Sequence, residues 1–129
     1  MPIEDYVPYI AAQTLKQIGF NEPCKSVFMN GQCMILDSYS YNKLFEATDT
    51  CSAPTMQMAL KWLRNERYTH VEIKADGYKF TYTIKHFSIE KGWVERRGLE
   101  RQEFDTYEDA ACDGLITALK YLYYNGKEN

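Results

Sequence analysis

A chain of 129 residues with 45% hydrophobic and 26% charged side chains has the make-up of one globular domain, which excludes intrinsic disorder. At that length it can bury roughly two-thirds of the surface of its unfolded form. Its net charge of −3 and pI near 5.4 argue against a general polyanion binder, although a locally basic surface remains open to it.

The N-terminus, Met1-Pro2-Ile3-Glu4-Asp5, is acidic where a signal peptide is basic, and no apolar run approaches the roughly 18 residues of a membrane span. A cytoplasmic protein with no membrane partner is therefore expected. Cys24, Cys33, Cys51 and Cys112 form no CxxC pair and no zinc-like spacing with His70 or His86, so free reduced thiols are expected, with no metal site and no cofactor.

Residues 6–18 predict a first helix, with Pro8 in its first turn and Ile10, Ala11, Leu15 and Ile18 toward one face. Gly19 stops it, and Phe20 folds back onto its last turn. Runs at 26–29 and 32–36 flank Asn30-Gly31, a hairpin signal. Residues 37–52 show no clean period beyond a short helical turn near 42–47. Ala53-Pro54-Thr55 reads as a helix entrance with Thr55 as N-cap, and the helix runs from 56 to 66 on a stripe of Met56, Ala59, Leu60 and Leu63.

The clearest signal comes next. Two alternating runs, 71–75 and 78–84, flank Asp76-Gly77, which predicts a type I′ hairpin with Val71 opposite Tyr82, Ile73 opposite Phe80 and Ala75 opposite Tyr78. One face is apolar. The other carries His70/Thr83, Glu72/Thr81 and Lys74/Lys79 as pairs. Apolar residues occupy even positions up to Ile84 and odd ones at Phe87 and Ile89, which predicts a bulge near His86. Lys91-Gly92 turns the chain into a third strand at 93–96, with Val94 against Ile89. Thr106-Tyr107-Glu108-Asp109 fits a capping box, opening a last helix to about Tyr124 that Asn125-Gly126 ends. Gly114 within it costs about 1 kcal/mol against Ala, which implies a packing reason.

The expected fold is α+β: an antiparallel sheet with helices on one face, the C-terminal half reading α-β-β-β-α, preceded by an N-terminal helix and hairpin. All of 1–129 forms one domain, with 1–52 and 53–125 as its subregions. Charge is uneven. Residues 61–101 hold 10 basic and 6 acidic side chains, a surplus of four, and both flanks are acidic.

The candidate binding residues are the polar face of the central hairpin: His70, Lys74, Lys79, Thr81, Thr83 and Lys85. A solvated face is the ordinary fate of such residues, but Lys74 and Lys79 as cross-strand neighbours are a mildly unfavourable like-charge pair unless Glu72 or a ligand screens it. Catalysis finds little support, because neither histidine stands at a recognisable spacing from a Ser, Cys or carboxylate, and an enzyme reading comes third. Asp109 and Asp113, at i and i+4, are read as solvated. Met56, Met58, Leu60, Trp62 and Leu63 are read as core.

The α-β-β-β-α order resembles that of double-stranded-RNA-binding domains. Those domains grip phosphates with lysines at the start of the last helix, whereas this helix starts with Asp105, Glu108 and Asp109. Three longer segments carry another resemblance: residues 15–24 (LKQIGFNEPC), 52–64 (SAPTMQMALKWLR) and Thr106-Tyr107-Glu108-Asp109-Ala110 with Gly114-Leu115 and Ala118-Leu119-Lys120. Their order and spacing resemble small uncharacterised proteins encoded by tailed phages and prophages of gut Bacteroidales. That resemblance implies a phage-like origin and a bacterial cytoplasm, with no catalytic residues to carry over. The resulting expectation is a non-enzymatic accessory protein that binds a host or phage macromolecule, foremost a protein; a nucleic-acid-binding module using the basic sheet face is the alternative.

Overall fold

The structure, a computed structural model, describes residues 6–39, 41–44, 50–96 and 102–127. Its contacts divide the chain into two compact units, Met1–Ala59 with Leu119–Asn129, and Leu60–Ala118. Both are mixed α+β, and each holds one antiparallel three-stranded sheet. The element order from the middle of the chain is α-β-β-β-α, after an N-terminal helix and hairpin. The division falls inside two helices, α3 (Met56–Glu66) and α4 (Tyr107–Lys127).

In the first unit α1 (Tyr9–Gln17) starts later than the sequence implies, because Pro8 has extended backbone and stands as N-cap instead of entering the first turn. Its end follows from Gly19, whose φ of +102° suits a residue without Cβ. The Gly19 amide donates to the Lys16 carbonyl (3.2 Å) and the Phe20 amide to that of Leu15 (2.9 Å), the paired bonds of a Schellman cap. Phe20 is buried, as are Ala11, Ala12 and Leu15. Ile10, expected on the core face, is 56% exposed.

Strands β1 (Cys24–Met29) and β2 (Gln32–Tyr39) pair around Asn30-Gly31, with Met29 opposite Gln32. Both turn residues have positive φ, 53° and 80°, as a type I′ turn requires. β3 (Thr50–Ser52) adds to the other side of β1. The segment without a clean period thus holds the end of β2, a single turn α2 (Tyr41–Leu44) and β3; the rest of the helical turn expected near 42–47 lies outside the described residues. Asn42 fixes this corner: its side chain accepts from the Ser52 amide (2.8 Å) and donates to the Phe20 carbonyl (2.8 Å), and its own amide donates to Ser52 Oγ (3.2 Å). α3 begins where the sequence places it, with Thr55 Oγ1 accepting from the Met58 amide at 3.2 Å, a side-chain N-cap.

The second unit is built on β4 (Thr69–Asp76), β5 (Lys79–Ser88) and β6 (Gly92–Glu95), in that order across the sheet. The β4–β5 hairpin forms, but two residues out of the expected register: Val71 faces Ile84, Ile73 faces Tyr82, Ala75 faces Phe80 and Asp76 faces Lys79. The turn residues are Gly77 and Tyr78, and of the two only Gly77 has positive φ (+64°). That is the type II′ pattern, with glycine first, so Asp76 stays in the strand. A shift of two keeps every side chain on its face. The like-charge pair is nevertheless removed, because Lys74 lies opposite Thr81.

No bulge occurs at His86, whose ladder runs unbroken from Thr69↔His86 to His86↔Val94; the register shift that is present lies between Cys24 and Ser26. Val94 faces His86, not Ile89. The turn Ile89-Glu90-Lys91 closes Ser88 onto Gly92, which leaves Ile89 almost fully exposed. Beyond β6, Phe104 bridges to Phe80 through two 2.8 Å backbone bonds.

α4 opens on Thr106, whose hydroxyl accepts from the Asp109 amide at 3.0 Å. It packs on the Val71/Tyr82 face of the sheet at Gly114, where a Cβ would lie 2.7 Å from Val71 Cγ1 and 3.1 Å from the Tyr82 ring. The glycine therefore permits the close approach. Asp113, read as solvated, accepts from the Tyr82 hydroxyl at 2.7 Å, and Thr117 Oγ1 lies 3.1 Å from the same hydroxyl; burial is the main cause that raises the Tyr82 phenol above its usual range. The helix does not end at Asn125-Gly126 but continues to Lys127, and Asn125 donates back to the Tyr121 carbonyl at 3.0 Å.

Candidate binding face on the second sheet

Antiparallel pairing with side-chain period two places His70, Glu72, Lys74 and Asp76 of β4 on one face of the sheet with Lys79, Thr81, Thr83, Lys85 and Phe87 of β5. Trp93 and Glu95 of β6 join them, because Trp93 lies opposite Phe87 and Glu95 opposite Lys85. α4 packs on the other face at Val71 and Tyr82. All six predicted residues therefore share one surface, but they do not have one fate.

The lysines are neutralised from within. Lys85 Nζ lies 2.8 Å from Glu72 Oε2, and Lys74 Nζ is 3.9 Å from Glu72 Oε1. Lys79 pairs with Asp105. The hydrogen bond from Lys85 is the main cause that holds the Glu72 carboxyl below its ordinary value, and the bond from Lys79 does the same for Asp105. The basic surplus of the segment thus does not add up to an open positive field on this face. Thr81 is fully buried, and among the described residues the buried hydroxyls of Thr81 and Thr83 have no hydrogen-bond partner. Neither offers a polar group to a passing macromolecule.

His70 differs, because it borders a feature the sequence reading missed. Its ring lies edge-on to Trp93 (5.9 Å between centroids, 63°), Trp93 packs against Phe87 (5.5 Å, 64°) and Phe87 against Tyr68 (6.3 Å, 35°). Burial, followed by the Arg64 charge, lowers the His70 pKa from its ordinary 6.5. Yet the cluster is not core: Tyr68 is 58% exposed, Trp93 44% and Phe87 39%. Three large aromatic side chains stand together in water at one end of a hydrogen-bonded sheet.

The backbone adds a second oddity. Tyr68 has φ of +51°, the left-handed region where a residue with a Cβ costs roughly 1–2 kcal/mol. Its carbonyl is nevertheless held in the ladder, accepting from the Phe87 amide at 3.0 Å. A strained position carrying a bulky exposed ring is the kind of outlier that points toward function.

The signal was present in the chain. Phe87 breaks the even-numbered apolar parity of β5, and the break marks an aromatic ring turned outward, not a bulge that restores it to the core. Three other exposed apolar residues do not match this arrangement. Met34 and Ile35 of β2 are adjacent and so lie on opposite faces of their strand. Tyr78 stands alone at the hairpin tip.

His70 and His86 lie on opposite faces of the sheet, and among the described residues no group of three His, Cys, Asp or Glu side chains converges. The four thiols are free, with Cys24 and Cys51 pushed up to about 11 by burial. Among the described residues no helix is long and apolar enough to cross a membrane. No family model, curated relative or solved structure matches the chain.

Proposed function

We propose that this chain is a non-enzymatic accessory protein of phage type that binds another protein through the Tyr68, Phe87 and Trp93 end of the second sheet. One observation carries the reading: three packed aromatic rings, each more than a third exposed, sit on a rigid strand frame. Solvent-exposed Trp and Tyr on a fixed scaffold are the side chains that dominate protein interfaces, since they bury large area at little entropic cost. The internal pairing of Lys79 and Lys85 favours a partner recognised by apolar contact over one recognised by phosphate charge.

The test is affinity capture from a lysate of the encoding bacterium, with the wild-type chain set beside a Phe87→Ala/Trp93→Ala variant. Specific partners retained by the first and lost by the second are the expected outcome. Identical recoveries across several salt concentrations contradict the reading.

The second reading is a nucleic-acid module, favoured by exposed rings beside Lys85 at one end of the sheet, the arrangement on which unpaired bases stack. A salt titration of single- and double-stranded RNA and DNA decides it, since binding of that kind strengthens steeply at low salt and its absence there removes the reading.

A further inference from the structure

The two edges of the second sheet are unequal. On β4 the ladder bonds engage the even residues, because the Phe87 amide donates to Tyr68 and the alternation continues along the strand. The outward backbone groups of β4 thus begin at Thr69 and Val71, which are buried. On β6 the bond from the Arg96 amide to the Ile84 carbonyl (2.8 Å) fixes the opposite alternation: Val94 and Gly92 bond to β5, and the amides and carbonyls of Trp93 and Glu95 turn away from the sheet. Trp93, Val94 and Glu95 are exposed, and among the described residues the Trp93 and Glu95 backbones have no partner on that side.

Unpaired edge groups are a template for another strand, and this edge runs beside the aromatic cluster. Resting on the protein-binding reading above, we infer that β6 receives an extended segment of the partner protein by antiparallel strand addition. The partner residue opposite Trp93 exchanges both backbone bonds with it and projects its side chain onto the Trp93 and Phe87 rings. The residue two positions along lies opposite Glu95 on the same face. Glu95 closes no ion pair among the described residues, since the neighbouring Lys85 is bound to Glu72. Charge complementarity therefore asks for Lys or Arg there. The occupant is an extended peptide with a large apolar side chain two residues from a basic one.

A displayed library of random ten-residue peptides, panned on the full chain, supplies the probe. Enriched sequences should carry the apolar/basic pair at that spacing. Binding of the resynthesised peptides should fall about tenfold or more on Glu95→Pro, which deletes an outward amide and spares the bond to β5, a substitution that edge strands tolerate. Glu95→Gln should weaken binding less, and selectively for peptides with the basic residue. Circular dichroism checks that the proline variant keeps its fold. Independently of any variant, N-methylation of the peptide amide opposite Trp93 should abolish binding, while methylation one residue away should not.

Peptides that bind Glu95→Pro undiminished and tolerate both methylations, yet are lost on Phe87→Ala/Trp93→Ala, overturn strand addition and leave the aromatic reading standing. Failure to enrich any peptide dependent on Trp93 overturns both. A dimer of the chain that Glu95→Pro dissociates assigns the edge to a second copy, and an oligonucleotide that displaces the peptides assigns the face to nucleic acid; either result overturns the proposal.

Discussion

The second sheet presents a closed region under α4 and, on its opposite face beyond the buried Thr81, an open aromatic end. Under α4, Val71 and Tyr82 meet Gly114, the Tyr82 hydroxyl donates to Asp113, and Ile84 on the same face is buried. The opposite face ends in Tyr68, Phe87 and Trp93, packed on one another and still wet. The difference separates apolar surface that is buried and stabilises the fold from apolar surface left exposed, which on the reading proposed above serves contact with a partner.

Breaking the closed region should give the largest effects. Ile84→Ala removes a side chain 1% exposed and should cost about 2–5 kcal/mol in denaturant unfolding. Gly114→Ala is expected to lose about 1–3 kcal/mol in spite of its better helix propensity, because the new methyl would meet Val71 at 2.7 Å. At the open end the sign of the experiment reverses. Trp93→Ala should leave unfolding within about 1 kcal/mol of wild type while weakening partner binding tenfold or more.

Tyr68→Asn sharpens the same contrast. Asparagine eases the left-handed strain by roughly 1 kcal/mol but forfeits a ring contact of about the same size, so stability should stay nearly constant as binding falls. The smallest effect is a titration. His70 is held below 6.5 by burial and then by Arg64, so the folded state binds its proton less readily than the unfolded one, and stability is lost as pH falls through 6.5 toward the folded value. An NMR titration should find its midpoint below 6.5 and find it higher in Trp93→Ala, where the ring that buries it is gone.

Most of the fold could be read from local signals, since each rested on backbone chemistry confined to a few residues. Gly19, Asn30-Gly31, Thr55 and Thr106 each do in the structure what their side chains allow. The second hairpin was legible in kind but not in register, because Asp-Gly-Tyr is compatible with a turn centred on Asp76-Gly77 or on Gly77-Tyr78. The choice depends on which pairing seats Ile84 against Val71, a non-local matter.

The candidate face was half legible. Alternation put His70, Lys74, Lys79 and Lys85 on the correct side, but their neutralisation by Glu72 and Asp105 depends on that register and on where the chain returns after β6. Thr81 is buried for tertiary reasons that no local pattern carries. Phe87 was misread, since the rule that places apolar residues inside turned an exposed ring into evidence for a bulge.

The open end as a binding surface is the central claim, and site-specific photo-crosslinking in cells of the source organism tests it most directly. A benzophenone side chain replacing Phe87 should yield discrete protein adducts that the same group replacing Tyr78, exposed at the far tip of the hairpin, does not. Equal adducts from both positions, or none from position 87, would contradict the account.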